Sequence, residues 1–445
     1  MLVMRMSEPT LFGELGESKK RAKEGAPRIV VPDRHQVRLE VVTSLDERLN
    51  ADHPARLLEM AVSRLDLSAF YERIESRGET AGRPAIDPKM LLVLWLYATQ
   101  QGIGSARELA RLCREHDAYR WICGGIEVNH HTLSDFRTEH GAALDRLMTH
   151  LLGVLMHRGV LSIRRVAQDG LKVRASAGAG SFRREKSLRD CMRAARIQIA
   201  RLKAIEQAAD RKDPAKVRAA RERAARESAL RVEHALAELE EARRTESMLE
   251  SEERRGNARV STSDPQARVM KMSDGGYRPA YNVQLATETR SRLIVGVDVS
   301  NCGSDFGALE PMVQQVERRT KTRAREWLVD GGFAKKETIE RLARREVKVY
   351  APVVRSRVAV CDPYRAKETE SAELGAWRRR MGSVRGRAVY RERGAVAETV
   401  NADLRTWRGL DRFLVRGREK VLAVTLLTAL TYNLLRCIAA GWLNP

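Results

Sequence analysis

Between two stretches of β-like sequence lies a run that cannot be β, and this interruption sets the terms on which the chain can fold. Residues 183 to about 255 are dominated by Arg, Glu, Ala and Lys, and Leu188, Met192, Ala195, Ile199 and Leu202 follow a 4-3-4-3 spacing. Such spacing is a heptad seam, with the apolar positions on one helical face. Asp213-Pro214 breaks the seam, and Ala229, Val232, Leu236 and Leu239 resume a similar stripe. The pattern predicts an antiparallel helical hairpin over residues 181–261, inserted into another domain. Its charges read as a solvated face, although Arg-rich sides can also track phosphates.

The flanking segments carry a period of two. Residues 165–170 form a short β-like segment ending in Asp169-Gly170, followed by Leu171, Lys172 and Val173. Beyond the hairpin, 281–286 and 293–299 alternate as strands around a turn at 288–291. A helix is expected at about 305–319, then a strand at 326–329 running into Asp330-Gly331-Gly332, a helix at about 335–345 and a strand at 347–353. The order β, β, β, α, β, α, β predicts an α/β fold, a mixed sheet with helices on its faces. Helices at about 394–406 and 418–437 complete it.

Ahead of this lies helical sequence. Residues 1–35 are charged and punctuated by Gly and Pro, and read as a flexible basic arm. Residues 36–158 read as an all-α N-terminal domain. Asp87-Pro88 has the cap and first-turn residues of a helix start, and 90–98 is apolar nearly all round. Gly102 and Gly104 break that helix, and Ser105 can cap the next, with Glu108 as its capping-box partner. A second capped segment is expected near Thr132 to Ser134. Helix, turn, helix in a basic setting suits entry into a DNA major groove, and a bundle that only dimerises is the alternative. The remaining residues, 159–180 and 262–445, are assigned to one further domain.

Lys plus Arg number 81 against 59 acidic residues, a formal charge of +22. An excess of this size favours polyanions, because each cation placed on a phosphate releases counterions. The six cysteines (Cys113, Cys123, Cys191, Cys302, Cys361 and Cys437) are scattered without metal-knuckle or redox spacing, which suits a reducing cytoplasm. Residues 1–20 contain no apolar run resembling a signal peptide. The uncharged stretch 421–435 is shorter than a spanning helix requires and contains Thr425, Thr428, Thr431 and Asn433, so it reads as a buried helix with no membrane role.

The chemistry gathers on acids. Asp169 and Asp330 stand at the C-terminal ends of predicted strands, where ligands and metals are commonly collected, and each is followed by Gly. Glu398 lies on a predicted helix, with Arg405 seven residues later on the same face. Mg²⁺ is a hard ion usually held by a few carboxylates plus substrate phosphate, and paired ions assist phosphoryl displacement. A guanidinium at Arg405 suits a DNA phosphate. Asp298 and Asp305 read as helix caps, and Asp264 and Asp274 as caps or turn closers. His130 and His131 are adjacent on a helix, point in different directions and make a poor metal pair. Trp407 is read as packing against the sheet, with stacking on a flipped base as the alternative.

Several blocks in order resemble the DDE transposases of bacterial insertion sequences. They are DPKMLLVLWLYATQQGIGSARELARLC at 87–113, NHHTLSDFR at 129–137, VAQDGLKVRASA at 166–177, SDPQARVMKMSDGGYRPAYNVQLA at 263–286 and WLVDGGFAKKETI at 327–339, followed by a block at 377–433. The last block resembles the family's signature of Tyr, Arg, Glu and a basic residue, here Tyr390, Arg393, Glu398 and Arg405. In the commonest form three residues separate the Arg from the Glu and the basic residue is Lys; here four separate them and it is Arg. Glu392 is the fallback carboxylate.

The resemblance implies an RNase H-like catalytic domain, with Asp169, Asp330 and Glu398 holding two Mg²⁺ or Mn²⁺ ions. It also implies DNA contacts from Arg405, Arg393, Tyr390 and Lys172. The implied activity is binding of terminal inverted repeats in double-stranded DNA, hydrolysis of the 3′ ends and their transfer to target DNA. The implied setting is the bacterial cytoplasm, at the nucleoid. Joining two ends implies a homodimer or higher, with the 188–239 heptads as one contact. An RNase H-like nuclease without strand transfer and a silent DNA-binding protein are the alternatives.

Overall fold

The computed structural model describes residues 44–74, 84–207, 215–247, 258–353 and 362–442. The expected basic arm at 1–35 and the Asp213-Pro214 break lie outside them. The described residues up to 157 are organised as helices: α1 (Pro54–Val62), α2 (Ser68–Tyr71), α3 (Pro88–Gln100), α4 (Ala106–Glu115), α5 (Asp117–Cys123), α6 (His130–Glu139) and α7 (Gly141–His157). Asp87 caps α3 through the Lys89 N–H, with Pro88 in the first turn, and Ser105 caps α4 through the Glu108 N–H. Glu108 does not close a capping box, because its carboxylate is drawn to Arg111 on the same helix. The cap of α6 is Asn129, three residues earlier than expected, and it accepts from the His131 and Thr132 N–H groups at 2.8 and 3.0 Å.

The sheet begins with β1 (Arg165–Arg174). The heptad segment then folds as expected into two helices, α8 (Glu185–Gln207) and α9 (Ala215–Ser247). Glu185 at the start of α8 pairs with Arg243 near the end of α9 at 2.7 Å, so the two run antiparallel. Leu188, Val232, Ala235 and Leu239 form a small core separate from the main one. Part of the heptad seam is thus consumed within the chain. A two-residue ladder, β2 (Phe182–Arg183) against β3 (Val260–Ser261), joins the strands flanking the hairpin.

The remaining elements follow in chain order: β4 (Arg268–Lys271), β5 (Tyr277–Glu288), β6 (Ile294–Ser300), α10 (Leu309–Thr320), β7 (Glu326–Leu328), α11 (Lys336–Arg344) and β8 (Lys348–Tyr350). Then come α12 (Ala372–Gly382), α13 (Val384–Arg393), a π-helical turn Gly394–Glu398, α14 (Thr399–Thr406) and α15 (Arg418–Ala439). The fold is α/β, as expected. β5 lies antiparallel to β1 on one edge and to β4 and then β6 on the other, while β1, β7 and β8 run parallel. β4, α12 and α13 were not anticipated; helix begins ten residues ahead of the expected start at 394.

α15 is long and apolar enough to cross a membrane by length and composition, yet most of it is buried inside the protein. It packs on α1, α3, α6, α7 and β6, and one hydrophobic core runs from the N-terminal helices through the sheet. Its interior polar group is used. Asn433 accepts from the Ile294 N–H at 2.9 Å and donates to the Ile294 carbonyl at 2.8 Å, satisfying the backbone of β6 like an added strand. Asn433→Leu leaves both backbone groups buried without partners and is expected to cost about 2–4 kcal/mol, read as a lowered urea midpoint at unchanged slope.

Candidate active site

β1 does not end at Asp169. It continues to Arg174, because its antiparallel ladder with β5 runs from Val166↔Glu288 to Arg174↔Ala280, which places Asp169 mid-strand opposite Leu285. The parallel ladder on the other edge is short, and its last pair is Ala167↔Leu328. Asp169 and Asp330 therefore each stand two residues past the last parallel pair. They are level with one another at the carboxyl end of the β1–β7 ladder, where the edge of β1 opens.

Asp169 is largely sheltered, with its side chain 17% exposed. Its Oδ1 accepts from Arg393 Nη2 at 3.0 Å and from the Gly170 N–H at 3.0 Å, and its Oδ2 accepts from Asn401 Nδ2 at 3.1 Å. Burial pushes its carboxyl above the ordinary range, against the opposing Arg393 guanidinium and Gly170 N–H; the charges of Asp330 and Asp305 add to the rise. Asp330 caps the short turn Gly331–Phe333 through the Gly332 N–H at 2.7 Å, and its Oδ2 lies 3.9 Å from Arg393 Nη2. Glu398 Oε1 lies 3.9 Å from Arg393 Nη1. One guanidinium thus touches all three acids, whose exposure rises from 17% to 41% to 71% in the order Asp169, Asp330, Glu398.

The extra residue between Arg393 and Glu398 has a structural counterpart. Residues 394–398 form a π-helical turn, whose wider winding brings residues five apart into line. In a regular α-helix that separation would rotate Glu398 well away from Arg393. The turn packs against β1 and β5. Glu392, the fallback acid, is held elsewhere: both its oxygens lie 2.7 Å from Arg165 Nη1, and Arg165 also grips Glu326 of β7 at 2.6 Å. That network fastens α13 to β1 and β7 and keeps Glu392 in a structural ion pair.

The other expected residues fall into place unevenly. Tyr390 is half-buried one turn before Arg393, with its phenol held protonated by burial. Arg405 on α14 and Lys172 on β1 are half-buried and free of ion pairs among the described residues. Trp407 does not pack on the sheet: it is 66% exposed. The chain turns there at Gly409 (φ +68°), a Cβ on which would come within 2.7 Å of the Gly102 carbonyl oxygen, and Leu410 enters the core instead. The His130 and His131 rings lie 4.1 Å apart, contrary to the expected divergence, because His130 occupies the first helical position. Asp298 lies inside β6 and Asp274 closes the turn before Arg278, while Asp264 is buried against the Tyr281 hydroxyl at 2.7 Å.

Asp305, expected as a helix cap, is placed otherwise. Its side chain caps no helix; its Oδ1 accepts from Asn282 Nδ2 at 2.8 Å and from Gln284 Nε2 at 2.6 Å, on β5. The only sequence signal was its position between a strand and a helix, which reads equally as a cap.

As a donor set for divalent ions, hard carboxylate oxygens around one locus suit Mg²⁺ or Mn²⁺. A buried acceptor without a partner, Asn282 Oδ1, lies 2.9 Å from where a Cβ on Gly170 would stand, next to Asp305. No three acidic, His or Cys side chains among the described residues converge tightly enough to hold one ion; Arg393 lies within 3.9 Å of each of the three acids. The acids lie on an open face. A cavity of 1370 Å³ lies elsewhere, among the N-terminal helices, with Arg73, Arg107, Arg114 and Arg120 in its wall.

Two family models match the chain. One, described as a transposase domain, covers residues 43–139, and the other, described as a transposase DDE domain, covers residues 257–434. Asp330 and Glu398 fall within the second, whereas Asp169 lies in the interval between the two. No curated protein and no solved structure matches the chain.

The raised Asp169 pKa has a consequence for stability. A carboxyl that holds its proton more tightly when folded contributes stability in full below its unfolded pKa and loses it as pH rises through the folded value. Asp169→Asn cannot ionise. In chelator it is expected to melt above the parent at pH 7, with the gap closing as pH falls below about 4. A melting series across that range checks this, and a variant melting below the parent at pH 7 contradicts it.

Proposed function

From a chain that carries a transposase domain and a transposase DDE domain, we propose a DNA transposase of the insertion-sequence type, acting on double-stranded DNA. The observation that carries this reading is the meeting of Asp169, Asp330 and Glu398 on the Arg393 guanidinium at the carboxyl end of parallel strands. The strand order β6-β5-β1-β7-β8, with only β5 reversed, supports an RNase H-like catalytic core interrupted by the α8–α9 hairpin.

The reaction is two successive phosphoryl displacements. In the first, water attacks the phosphodiester at the transposon end, and the 3′ oxygen leaves as a free hydroxyl. In the second, that hydroxyl attacks a target phosphodiester, joining the end and releasing a new 3′ hydroxyl. Two divalent ions, Mg²⁺ or Mn²⁺, supply Lewis acidity when bound, with Asp169, Asp330 and Glu398 as their ligands.

The chain's own residues do the rest. Arg393 neutralises the repulsion among the three acids and, with Arg405 and Lys172, offers guanidinium and ammonium groups to backbone phosphates. Tyr390, kept protonated by burial, is a hydroxyl donor at the same edge. The N-terminal helices are assigned to the terminal inverted repeats, supported by the four arginines around their cleft. Two ends must meet for transfer, so the working form is a homodimer or larger, in the cytoplasm at the nucleoid.

Ala at Asp169, Asp330 or Glu398 is expected to reduce Mg²⁺- or Mn²⁺-dependent cleavage of end-bearing duplex by at least about a thousandfold, as for members of one catalytic unit. Salt-sensitive DNA binding should survive in each. A Glu398→Ala protein that cuts at full rate removes Glu398 from the site, and a parent protein that binds ends but never cuts them overturns the enzymatic reading. Arg405→Ala should weaken binding across sequences and lower the salt slope of log K by about one.

A further inference from the structure

Resting on the metal-dependent reading above, we propose that Asp305 is a fourth carboxylate of the divalent-cation site, reaching it over the surface left bare by Gly170. Asp169 and Gly170 are consecutive on β1, so their side-chain positions face opposite sides of the sheet. Arg393 and Asn401 approach from the side of Asp169. Asp305 approaches from the side of Gly170, and a Cβ on Gly170 would stand 2.3 Å from Asp305 Oδ1. Any residue but glycine would displace it. Its other oxygen lies 3.8 Å from where a Cβ on Gly332 would stand, a position itself 3.0 Å from Asp330 Oδ1. Asp305 therefore sits beside Asp330 on the Gly170 face of β1, at the level where β1 has lost its parallel neighbour and the strand edge is open between the two faces.

Two further features separate this from an ordinary half-buried carboxylate. Asp305 makes no ion pair among the described residues; amides of Asn282 and Gln284 hold it by Oδ1 alone, leaving Oδ2 without a hydrogen bond. A fixed carboxylate presenting one uncommitted oxygen is suited to a cation. Asn282 supplies the independent sign. It is 1% exposed, its Oδ1 has no hydrogen-bond partner, and that atom lies 2.9 Å from the same hypothetical Gly170 Cβ. A buried acceptor beside a carboxylate calls for a donor or a cation rather than another acceptor.

The test is Mn²⁺ binding by the full chain without DNA, followed from the free-ion paramagnetic resonance signal. Asp305→Asn keeps an oxygen for the two amides and is expected to weaken Mn²⁺ binding tenfold or more while leaving the melting profile close to the parent's. Asp169→Asn serves as the reference. If Asp169→Asn loses Mn²⁺ and Asp305→Asn binds it with the parent's affinity and stoichiometry, this inference fails and the metal-dependent reading stands. If the parent binds no Mn²⁺, both fail. A second measurement needs no substitution: Fe²⁺ with ascorbate and peroxide cuts backbone beside a bound ion. Cuts are expected near 169–170, 330–332 and 303–307; cuts at the first two alone also overturn the proposal.

Discussion

Everything at the candidate site depends on the unequal pairing of β1. Its antiparallel ladder with β5 runs nearly the whole strand, whereas its parallel ladder with β7 stops at Ala167↔Leu328. The long ladder keeps Asp169 in rigid extended backbone, and the short one leaves an open notch beside it. Without the first, Asp169 would sit on a mobile turn; without the second, its carboxylate would be covered by a neighbouring strand. A strand residue is more precisely held than a loop residue, and a site made of several charges needs that precision.

Charge is managed at the same place. Three carboxylates sharing a small volume repel one another, and burial raises the cost of ionising Asp169. Arg393 offsets this by touching all three, and the π-helical turn after it allows Glu398 to take part despite a spacing one residue too long for a regular helix. Arg165 secures the arrangement from behind by tying Glu326 of β7 to Glu392 of α13. The arginine-rich composition is thus partly internal scaffolding.

Much of the local structure was legible because local chemistry decides it. Asp87 and Ser105 cap where a short polar side chain precedes an apolar run, and the 4-3-4-3 stripe makes a helix pair wherever it occurs. Glu108 departed from expectation because Arg111 competed for its carboxylate one turn away. Trp407 departed because a glycine-dependent turn sends Leu410 inward in its place. Both outcomes turn on which neighbour arrives first, and sequence spacing does not contain that. Asp305 was unreadable for the same reason: its partners, Asn282 and Gln284, come from a strand more than twenty residues earlier.

The sequence by itself determined the α/β class, the helical hairpin between strands, the buried character of the last helix and the identity of the acids worth considering. These follow from periodicity, capping and charge, which act over a few residues. Only the tertiary structure decided that Asp169 lies mid-strand rather than at a strand end. It also decided that Arg393 is the common partner of Asp169, Asp330 and Glu398, that Glu392 is paired with Arg165 instead, and that Gly170 makes room for Asp305. Those outcomes depend on where one ladder stops and which helix crosses it. Backbone hydrogen bonds and packing set that between residues as far apart as 169 and 393, so no local pattern could encode it.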